Sequence, residues 1–407
     1  MKILHSSDWH LGQSFFTQNR KDEHQQFLDW LLQVVEAQQV DAIIVAGDVF
    51  DTGTPPSYAR EMYNRFVVAL QAHRCTLIVL GGNHDSVSVL NETRGLLSCL
   101  NTHVIASVLE NPADQVVELK DKNGETGAFV CAIPFIRPRD VLVSAAGQST
   151  DEKKQHLGDA IKAHYRSVYD VAASRREASG KAVPVIATGH LTALGVSASS
   201  SVRDIYIGTL EGFAADGFPP ADYIALGHIH RPQKVAKSEY IRYSGSPVAL
   251  SFDELGTQKQ VVLVSFEGST TPVIEALPVP VFQPMEIIRG DLDTIEQSLK
   301  AFTDTAATTW LCIEVTTQGY LSDLHQRIQA MTEDKPVEVL QLRRIHERAA
   351  ASLTAEYEQD LSELSPEEVF ERRLLLMDDA TDEEVKAELR TQFREVVSGL
   401  DAGEAAQ

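Results

Sequence analysis

The sequence predicts a layered α/β domain, followed by a small α+β module and a charged C-terminal tail. Short apolar runs alternate with longer amphipathic segments, a proline-rich passage interrupts them, and a second alternation then begins. A continuous run of about four or five apolar residues is typical of a strand buried on both faces of its sheet. Helices that alternate with such strands cover the sheet, which favours a layered domain.

The first part of the chain, residues 1–277, contains most of the predicted elements. Strands are predicted at Lys2–Leu4, Ala42–Ala46, Thr76–Leu80, Val183–Ala187, Tyr223–Leu226, Gln260–Phe266 and Pro272–Leu277. Helices are predicted at Glu23–Gln38, Tyr58–Ala72 and Asp151–Ser174, the last closed by Gly180. In the second helix, apolar residues recur every four positions from Tyr58 to Leu70 and form one face.

The proline-rich passage Pro278–Pro284 marks the start of a second module, residues 281–345. Its predicted elements are strand, helix, strand, helix and strand at Met285–Ile288, Leu292–Phe302, Trp310–Thr316, Leu321–Met331 and Val337–Leu342. Residues 351–407 form the third part. A chain of 407 residues is long enough for two or three such units.

Composition limits the possible classes of function. The formal net charge is −22, and residues 351–407 alone hold 16 acidic and 5 basic residues. Contact with nucleic acid would therefore need local basic patches, bound metal ions or a partner protein. No apolar run reaches the roughly 18 residues that cross a membrane. The four cysteines form no CxxC pair, and buried free thiols in the reducing cytoplasm are the expected state.

Metal-binding side chains follow five of the predicted strands. They are Asp8 and His10, then Asp48, then Asn83, then His190, then His228 and His230. Ligands bind at the carboxyl edge of an open α/β sheet, so these side chains should share one cleft. Each motif alone is weak, because turn residues and hydrogen-bonded structural histidines are common after strands. Their shared placement favours a metal centre.

Two ions fit the seven candidate ligands better than one. A single tetrahedral site needs only four ligands. If Asp48 bridges two ions, each ion gains about four protein ligands, and two ions can clamp the attacking and leaving oxygens of a phosphate ester. Imidazole, carboxylate and amide ligands favour manganese, iron or zinc over magnesium, and ligand type alone leaves that choice open.

His84 is the candidate catalytic residue. It directly follows Asn83, and adjacent side chains point in different directions, so the two can hardly bind the same ion. A histidine beside two metals is a suitable general acid for the leaving oxygen. The alternative is a structural histidine that is hydrogen-bonded to Asp85, and the two interpretations are compatible, since an acidic partner would orient the ring and raise its pKa.

The motifs Asp8-x-His10, Gly47-Asp48-x-x-Asp51, Gly82-Asn83-His84-Asp85, Gly189-His190 and Gly227-His228-x-His230 resemble the signature of calcineurin-like metallophosphoesterases. The flanking residues at 7–12, 40–51 and 225–230 resemble the SbcD family, the nuclease subunits of bacterial SbcCD complexes. The resemblance runs nearly end to end. It implies a β-sandwich flanked by helices, a capping domain and a C-terminal helical segment.

The resemblance also implies a set of functions. One ion would be held by Asp8, His10, Asp48 and His230, and the other by Asp48, Asn83, His190 and His228. Manganese is the metal that the family usually prefers, and His84 would lie beside the scissile phosphate. Members of the family are 3′-to-5′ exonucleases on duplex DNA and endonucleases on single strands and hairpins, in DNA repair, recombination and replication.

The resemblance further implies a coiled-coil ATPase partner of the SbcC type, and a homodimer within a heterotetramer in the cytoplasm, associated with the nucleoid. The homodimer would form through helices near Tyr58–Ala72 and Asn91–Leu100. There is one departure from the family: archaeal relatives carry a second active-site histidine where this sequence has Asp51. An imidazole's role cannot pass to Asp51 unchanged, so its role stays open.

Candidate DNA contacts and partner contacts are also readable from the sequence. Basic pairs occur at Arg137 with Arg139 and at Arg343 with Arg344, although such groups are often only solvated surface. In the tail, Ser365 to Glu368 has the pattern of a capping box. Two amphipathic helices would follow, with candidate partner contacts at Val369, Phe370, Leu374, Met377, Leu389 and Phe393. These helices could pack on the chain's own body or on another protein, and the charged linker before them favours an external groove. The resemblance implies that this groove belongs to the coiled coil of the ATPase.

Two rival functions use the same residues. A phosphatase or small-substrate phosphodiesterase could use the same two ions, although it would need neither the second module nor the tail. A non-catalytic scaffold would keep the fold without the chemistry, yet all seven candidate ligands are present.

Overall fold

A computed structural model describes residues 1–142, 149–203, 212–303, 307–316, 323–345 and Phe393. The strands in this part of the chain are, in order, β1 (Lys2–Ser6), β2 (Ser14–Phe15), β3 (Gln18–Asn19), β4 (Ala42–Val45), β5 (Thr76–Leu80), β6 (Thr102–Ile105), β7 (Val116–Lys120), β8 (Thr126–Cys131), β9 (Val185–His190), β10 (Tyr223–Gly227), β11 (Gln233–Lys234), β12 (Ile241–Tyr243), β13 (Gln260–Ser265), β14 (Val273–Pro278), β15 (Met285–Gly290), β16 (Thr309–Thr316) and β17 (Val337–Ile345). The α-helices are α1 (Lys21–Gln38), α2 (Ser57–Leu70), α3 (Val87–Glu92), α4 (Arg94–Ser98), α5 (Pro138–Val141), α6 (Thr150–Ser179), α7 (Leu292–Leu299) and α8 (Leu324–Thr332).

Two six-stranded sheets pack face to face. Their strand orders are β14-β13-β1-β4-β5-β6 and β11-β12-β10-β9-β8-β7. Side chains alternate along β1, so that Ile3 enters the core between the sheets and Leu4 enters the core beneath α1 and α2. On the second sheet, Ala225 faces the same middle core and Leu226 faces the core beneath α6. The layers therefore run helix, sheet, sheet, helix, and the prediction of a layered α/β fold is confirmed.

The strands that carry the candidate ligands are parallel within each sheet. In the first sheet β1, β4 and β5 are parallel neighbours, and in the second sheet β9 and β10 are. Their carboxyl ends therefore lie at one end of the sandwich. The predicted bounds of these strands are close to the observed ones, with Thr76–Leu80 identical. Seven further strands were not predicted: β2, β3, β6, β7, β8, β11 and β12.

Helix α6 shows how local sequence fixes an element's ends. The Ser149 hydroxyl accepts a hydrogen bond from the backbone N–H of Glu152, and the Glu152 side chain accepts one from the Ser149 backbone, which is a capping box. Gly180 follows the last turn with a φ of 64°, a conformation that glycine adopts without steric cost. The predicted closure at Gly180 is confirmed.

A three-stranded sheet, β15-β16-β17, follows the proline-rich passage. Its apolar face packs against α7 and α8 through residues such as Ile295, Leu299, Leu311 and Ile328. On the other face, Trp310 stacks on Phe15 of β2, with ring centroids 5.7 Å apart. In the described residues no helix is long and apolar enough to cross a membrane.

The chain divides into two compact units, one of Met1–Val315 with Leu321–Arg343 and the other of Thr316–Tyr320 with Arg344–Gln407. All of the candidate metal ligands belong to the first unit. The tail residues Val369, Phe370, Leu374, Met377 and Leu389 lie outside the described residues.

Candidate metal centre

The candidate ligands converge where the carboxyl ends of the two sheets meet. Asp8 and His10 follow β1, Asp48 follows β4, and Asn83 follows β5 in the first sheet; His190 ends β9, and His228 and His230 follow β10 in the second. Six of the seven are buried to at least 98%, and Asn83 is partly exposed. The sequence predicted one shared cleft, and the folded chain places the seven side chains in it.

Three groups formed by six of these side chains and His84 could each hold a metal ion. They are Asp8 with His10 and His230, then His10 with Asp48 and His84, then Asp48 with His190 and His228. Within each group the ligand atoms lie within 4.8 Å of one another. Asp48 belongs to two of the groups, which is the arrangement that a bridging carboxylate requires.

Distances around Asp48 show how close the two halves of the centre are. The Asp48 Oδ2 atom lies 3.2 Å from His190 Nε2 and 3.8 Å from His10 Nε2. The Asn83 amide oxygen lies 2.8 Å from His190 Nε2 and 3.1 Å from His228 Nδ1. Asp48 therefore stands between His10 on one side and the Asn83, His190 and His228 group on the other.

Several ligand atoms are buried without a hydrogen-bond partner. His10 Nε2, Asp48 Oδ2 and His228 Nε2 have none among the described residues. An unpaired buried polar atom costs about 1–3 kcal/mol, so proteins rarely leave one without a reason. Three such atoms facing one centre fit divalent cations as the missing partners.

Electrostatics at the centre also favours a cation. Burial works against the charged form of His190, but the adjacent Asp48 carboxylate outweighs burial and raises the His190 pKa to about 9. Burial opposes ionisation of Asp48 as well, yet His190, His10 and His84 hold the pKa of that carboxyl well below its usual range. Without an ion the centre attracts a proton in its place, so metal binding would release that proton.

The backbone of the centre is strained at four of the candidate ligands. Positive φ angles occur at Asp8 (54°), His10 (47°), Asp48 (51°) and His228 (95°). Residues other than glycine rarely adopt this region, and such strain of about 1–3 kcal/mol per residue clusters at functional sites. No sequence signal marks these angles, because aspartate and histidine are ordinary residues for a loop.

Two glycines give the ligands room to approach one another. A Cβ atom on Gly82 would lie 2.1 Å from Asp48 Oδ1, and one on Gly47 would lie 2.2 Å from His190 Nδ1. These glycines therefore do more than form tight exits from their strands. They allow the β4 and β5 loops and the His190 ring to pack within contact distance.

His84 lies beside the candidate ligands, and its orientation differs from the structural alternative that the sequence suggested. Its Nδ1 atom lies 2.7 Å from the carbonyl oxygen of Asp51. The Asp85 carboxylate instead accepts hydrogen bonds from the backbone N–H groups of Val49, Phe50 and Gly82. The predicted pairing of His84 with Asp85 is wrong, because Asp85 is turned inward to hold the loop after β4. Burial lowers the His84 pKa, and the Asp48 carboxylate only partly opposes that effect.

Of the residues behind the ligands, the sequence analysis left the role of Asp51 open and missed Ser201, Glu254 and Lys259. The Asp51 carboxylate lies 3.0 Å from His10 Nδ1, and His230 Nδ1 lies 2.6 Å from the hydroxyl of Ser201. The buried Glu254 lies behind Ser201 and pairs with Lys259. These partners come from loops far apart in the chain, so their spacing carries no signal.

The four candidate DNA-contacting arginines have different surroundings. The Arg137 guanidinium lies 5.3 Å from the Phe135 ring centroid and 3.4 Å from the Asp85 carbonyl, and its Nη1 atom is buried without a hydrogen-bond partner among the described residues. Arg139 is 80% exposed. Arg343 is exposed and lies 3.6 Å from Glu314, and Arg344 is also exposed. Of the four, Arg137 is the one that contacts Asp85, the residue after His84.

Comparison with known proteins adds two matches to family models. Residues 1–232 match the calcineurin-like phosphoesterase model, and residues 281–377 match the type 5 capsule protein repressor C-terminal domain, SbcD_C. Together these models cover the strands of both sheets up to β10 and the three-stranded sheet.

Full-length relatives are also similar. The SbcD subunit of the SbcCD nuclease of Escherichia coli K12 is 52% identical over 406 residues, covering 99% of each chain. The proteins of the same name from Rhodobacter capsulatus and Bacillus subtilis are 35% and 32% identical, covering 69% and 65% of this chain and 70% and 66% of their own. Among solved structures, a β-glucosidase from Exiguobacterium marinum covers 84% of this chain and 89% of its own at 8% identity, with a TM-score of 0.24, too low to indicate a shared fold.

Proposed function

This chain belongs to the SbcD family of calcineurin-like phosphoesterases and is a metal-dependent nuclease, and we propose that it cuts the phosphodiester bonds of DNA at a two-ion centre built around Asp48. The position of Asp48 carries this proposal, because its carboxylate is shared between two groups of potential metal ligands. Seven ligands, one of which is a shared carboxylate, suit two ions better than one.

The residues divide between the two ions. Asp8, His10, Asp48 and His230 would hold one ion, and Asp48, Asn83, His190 and His228 would hold the other. Two such ions supply a water activated near neutral pH and positive charge for the phosphate oxygens. The imidazole, carboxylate and amide ligands support manganese as the preferred metal, since magnesium prefers oxygen ligands alone.

His84 would donate a proton to the leaving oxygen. Its Nδ1 hydrogen is directed to the Asp51 carbonyl at 2.7 Å, which leaves Nε2 as the atom that can transfer a proton. Burial lowers the pKa of the imidazole, and the Asp48 carboxylate partly opposes that effect. A phosphate group entering the cleft would add negative charge beside the ring and favour the protonated form.

DNA is the proposed substrate because the relatives are named as parts of a nuclease complex. We propose 3′-to-5′ exonuclease activity on duplex ends and endonuclease activity on single strands and hairpins, acting in repair, recombination and replication. Arg137, whose guanidinium contacts the Asp85 carbonyl, would contact a phosphate near the cut, and Arg139, Arg343 and Arg344 would contact DNA further away. Residues 1–277 would form the nuclease domain and residues 281–345 a capping domain that helps bind DNA.

A partner ATPase is proposed from the same names, since the relatives belong to an SbcCD complex. The SbcC-type coiled-coil ATPase would bind the tail, residues 351–407, and confer ATP-dependent activity. Two copies of the chain would form a homodimer within a heterotetramer.

The test uses the purified chain with a hairpin DNA and a long duplex, in manganese, in magnesium and with a chelator. We expect cleavage of both DNAs that requires a divalent ion and is fastest with manganese. Bis-nitrophenyl phosphate provides a small substrate, and duplex DNA should compete with it. A protein that hydrolyses the small ester and leaves both DNAs intact would contradict the proposed substrate, and one inactive on all three would contradict the proposed chemistry.

A further inference from the structure

The ring and the backbone carbonyl of His230 are both connected to one buried carboxylate, each through one other residue. Glu254 is fully buried, and its two oxygens lead to His230 by different routes. Oε1 accepts a hydrogen bond from the Ser201 hydroxyl, and that hydroxyl lies 2.6 Å from His230 Nδ1. Oε2 pairs with the Lys259 ammonium, which donates at 3.0 Å to the carbonyl oxygen of His230.

The hydrogen-bond donors in this network can be assigned. A carboxylate only accepts, so the Ser201 hydroxyl must donate its hydrogen to Glu254. The same oxygen then accepts from His230 Nδ1–H. That assignment leaves the Nε2 lone pair free to face Asp8 and His10, the other members of its group.

Burying the Glu254 carboxylate costs free energy unless the charge is paired and hydrogen-bonded. Its charge is offset by Lys259, which is itself 8% exposed, and its remaining lone pairs accept from Ser199 at 2.9 Å, Ser251 at 3.2 Å and the Leu250 N–H at 3.0 Å. A buried ion pair of this kind adds little to stability compared with apolar residues of the same size. Its geometry points to a role in fixing His230.

We propose that Glu254, acting through Ser201, is a positioning residue for the metal ligand His230, and that Lys259 fixes the backbone of the same ligand. Partners behind a ligating histidine set its tautomer and orientation, and their loss typically weakens metal binding about 10–100-fold. The inference rests on the proposed two-ion function. It adds that the ion held by Asp8, His10 and His230 depends on a carboxylate that never touches it.

Ser201 and Ser199 offer a matched pair of substitutions. Both hydroxyls donate to Glu254 Oε1, and Ser201 is the one that also contacts His230 Nδ1. In calorimetric titration of the metal-free protein with Mn²⁺, Ser201→Ala should weaken one of the two sites about 10–100-fold. Ser199→Ala should leave both sites within about threefold of the wild type, and Ser201→Thr, which keeps the hydroxyl, should restore binding.

Substitutions at Glu254 test the carboxylate end of the hydrogen-bond chain that runs from Glu254 through Ser201 to His230. Glu254→Gln leaves the Lys259 charge buried and unpaired, so the variant Glu254→Gln with Lys259→Met removes both charges together. The double variant should weaken the same site, but less than Ser201→Ala does because the amide oxygen can still accept from Ser201, while keeping a cooperative thermal unfolding transition. It provides the decisive comparison if either single variant fails to fold.

The affected site is identified in a His228→Ala background, which disables the ion site of Asn83, His190 and His228. There, Ser201→Ala should weaken the one remaining Mn²⁺ site. Equal Mn²⁺ binding by Ser201→Ala and Ser199→Ala would overturn the inference, as would an unaffected remaining site in this background. A wild-type chain that binds fewer than two ions would instead contradict the proposed two-ion function, so the two failures are distinguishable.

Discussion

The Asp51 carboxylate lies 3.0 Å from Nδ1 of His10, so a residue three positions after Asp48 orients the imidazole of one proposed metal ligand. The carboxylate accepts the Nδ1 hydrogen, and His10 Nε2 is left facing Asp48 Oδ2 at 3.8 Å. The sequence left the role of Asp51 open. Its position gives it the orienting role that carboxylates have behind metal-bound histidines.

Substitution of Asp51 should therefore weaken metal binding without removing a ligand. We expect Asp51→Ala to lower Mn²⁺ affinity at one site about 10–100-fold, and Asp51→Asn, whose amide oxygen can still accept, to lower it less. Calorimetric titration of the metal-free protein measures both values, with the neighbouring Thr52→Ala as the control. Wild-type affinity in Asp51→Ala would show that His10 needs no partner there.

His84 can be separated from the ion sites by substitution. The bond from its backbone N–H to Asp48 Oδ1, at 2.9 Å, survives any side-chain change. His84→Gln should therefore keep the fold and both ions but lose about 10²–10⁴-fold in cleavage rate, the usual contribution of a positioned acid. Rates on hairpin DNA and metal content of the same preparation provide the test. Turnover within a few-fold of wild type, or loss of an ion, would contradict the assignment.

His5, on β1, should make the metal-free protein sensitive to acid. Its ring is fully buried between the Tyr223 hydroxyl at 3.0 Å and the Leu226 carbonyl at 3.1 Å, and burial lowers its pKa to about 3. Below the ordinary histidine pKa of about 6.5 the unfolded chain binds a proton that the folded chain refuses. Stability should fall as pH drops from about 6.5 towards 3, by at most about 1.4 kcal/mol per pH unit from this group.

The readout for His5 is the slope of stability against pH. Urea unfolding of the metal-free wild type and of His5→Gln between pH 7 and about pH 4.5 gives the two slopes. The variant is less stable at pH 7 because it loses packing. The slope of its unfolding free energy against pH should be shallower by up to about 1.4 kcal/mol per pH unit, which corresponds to one proton. Parallel curves would show that His5 does not contribute to the acid sensitivity.

The tail prediction rests on sequence and family membership. Removal of residues 351–407 should abolish the complex with the coiled-coil ATPase but preserve Mn²⁺ binding and basal nuclease activity, because every candidate ligand precedes residue 231. Phe370→Glu and Phe393→Glu should each weaken the complex by placing a charge in an apolar contact. Co-purification measures the result, with Arg372→Glu as a polar control on the first predicted helix. A truncated chain that co-purifies with the ATPase at wild-type yield would exclude the tail as the main binding site.

The sequence predicted the central strands well because they are apolar on both sides. Strand β4 contributes Ile43 to one core and Ile44 to the next, so its run is continuous, and its predicted end at Ala46 is one residue beyond the observed end at Val45. Strand β7 was missed because it lies at a sheet edge, where Glu118 and Lys120 alternate with buried residues. Such alternation over so few residues is a weak signal.

The candidate site also contains residues that the sequence could identify and residues that it could not. Residues that follow strand ends could be found from the sequence, because strand direction brings those ends together. Glu254 could not, since it reaches His230 through Ser201, 53 positions away in the chain. Asp85 was assigned the wrong partner because local order along the chain cannot show that its side chain turns towards Val49 and Phe50.

The central claim is that Asp48 joins two ions into one catalytic centre, and metal stoichiometry tests it most directly. Metal-free wild-type chain and Asp48→Ala would be loaded with Mn²⁺, freed of excess metal and measured by elemental analysis, with Asp41→Ala as a control outside the centre. We expect two ions per chain for the wild type and the control, and fewer than one with no DNA cleavage for Asp48→Ala. Two ions retained by Asp48→Ala, or one ion in an active wild type, would contradict the account.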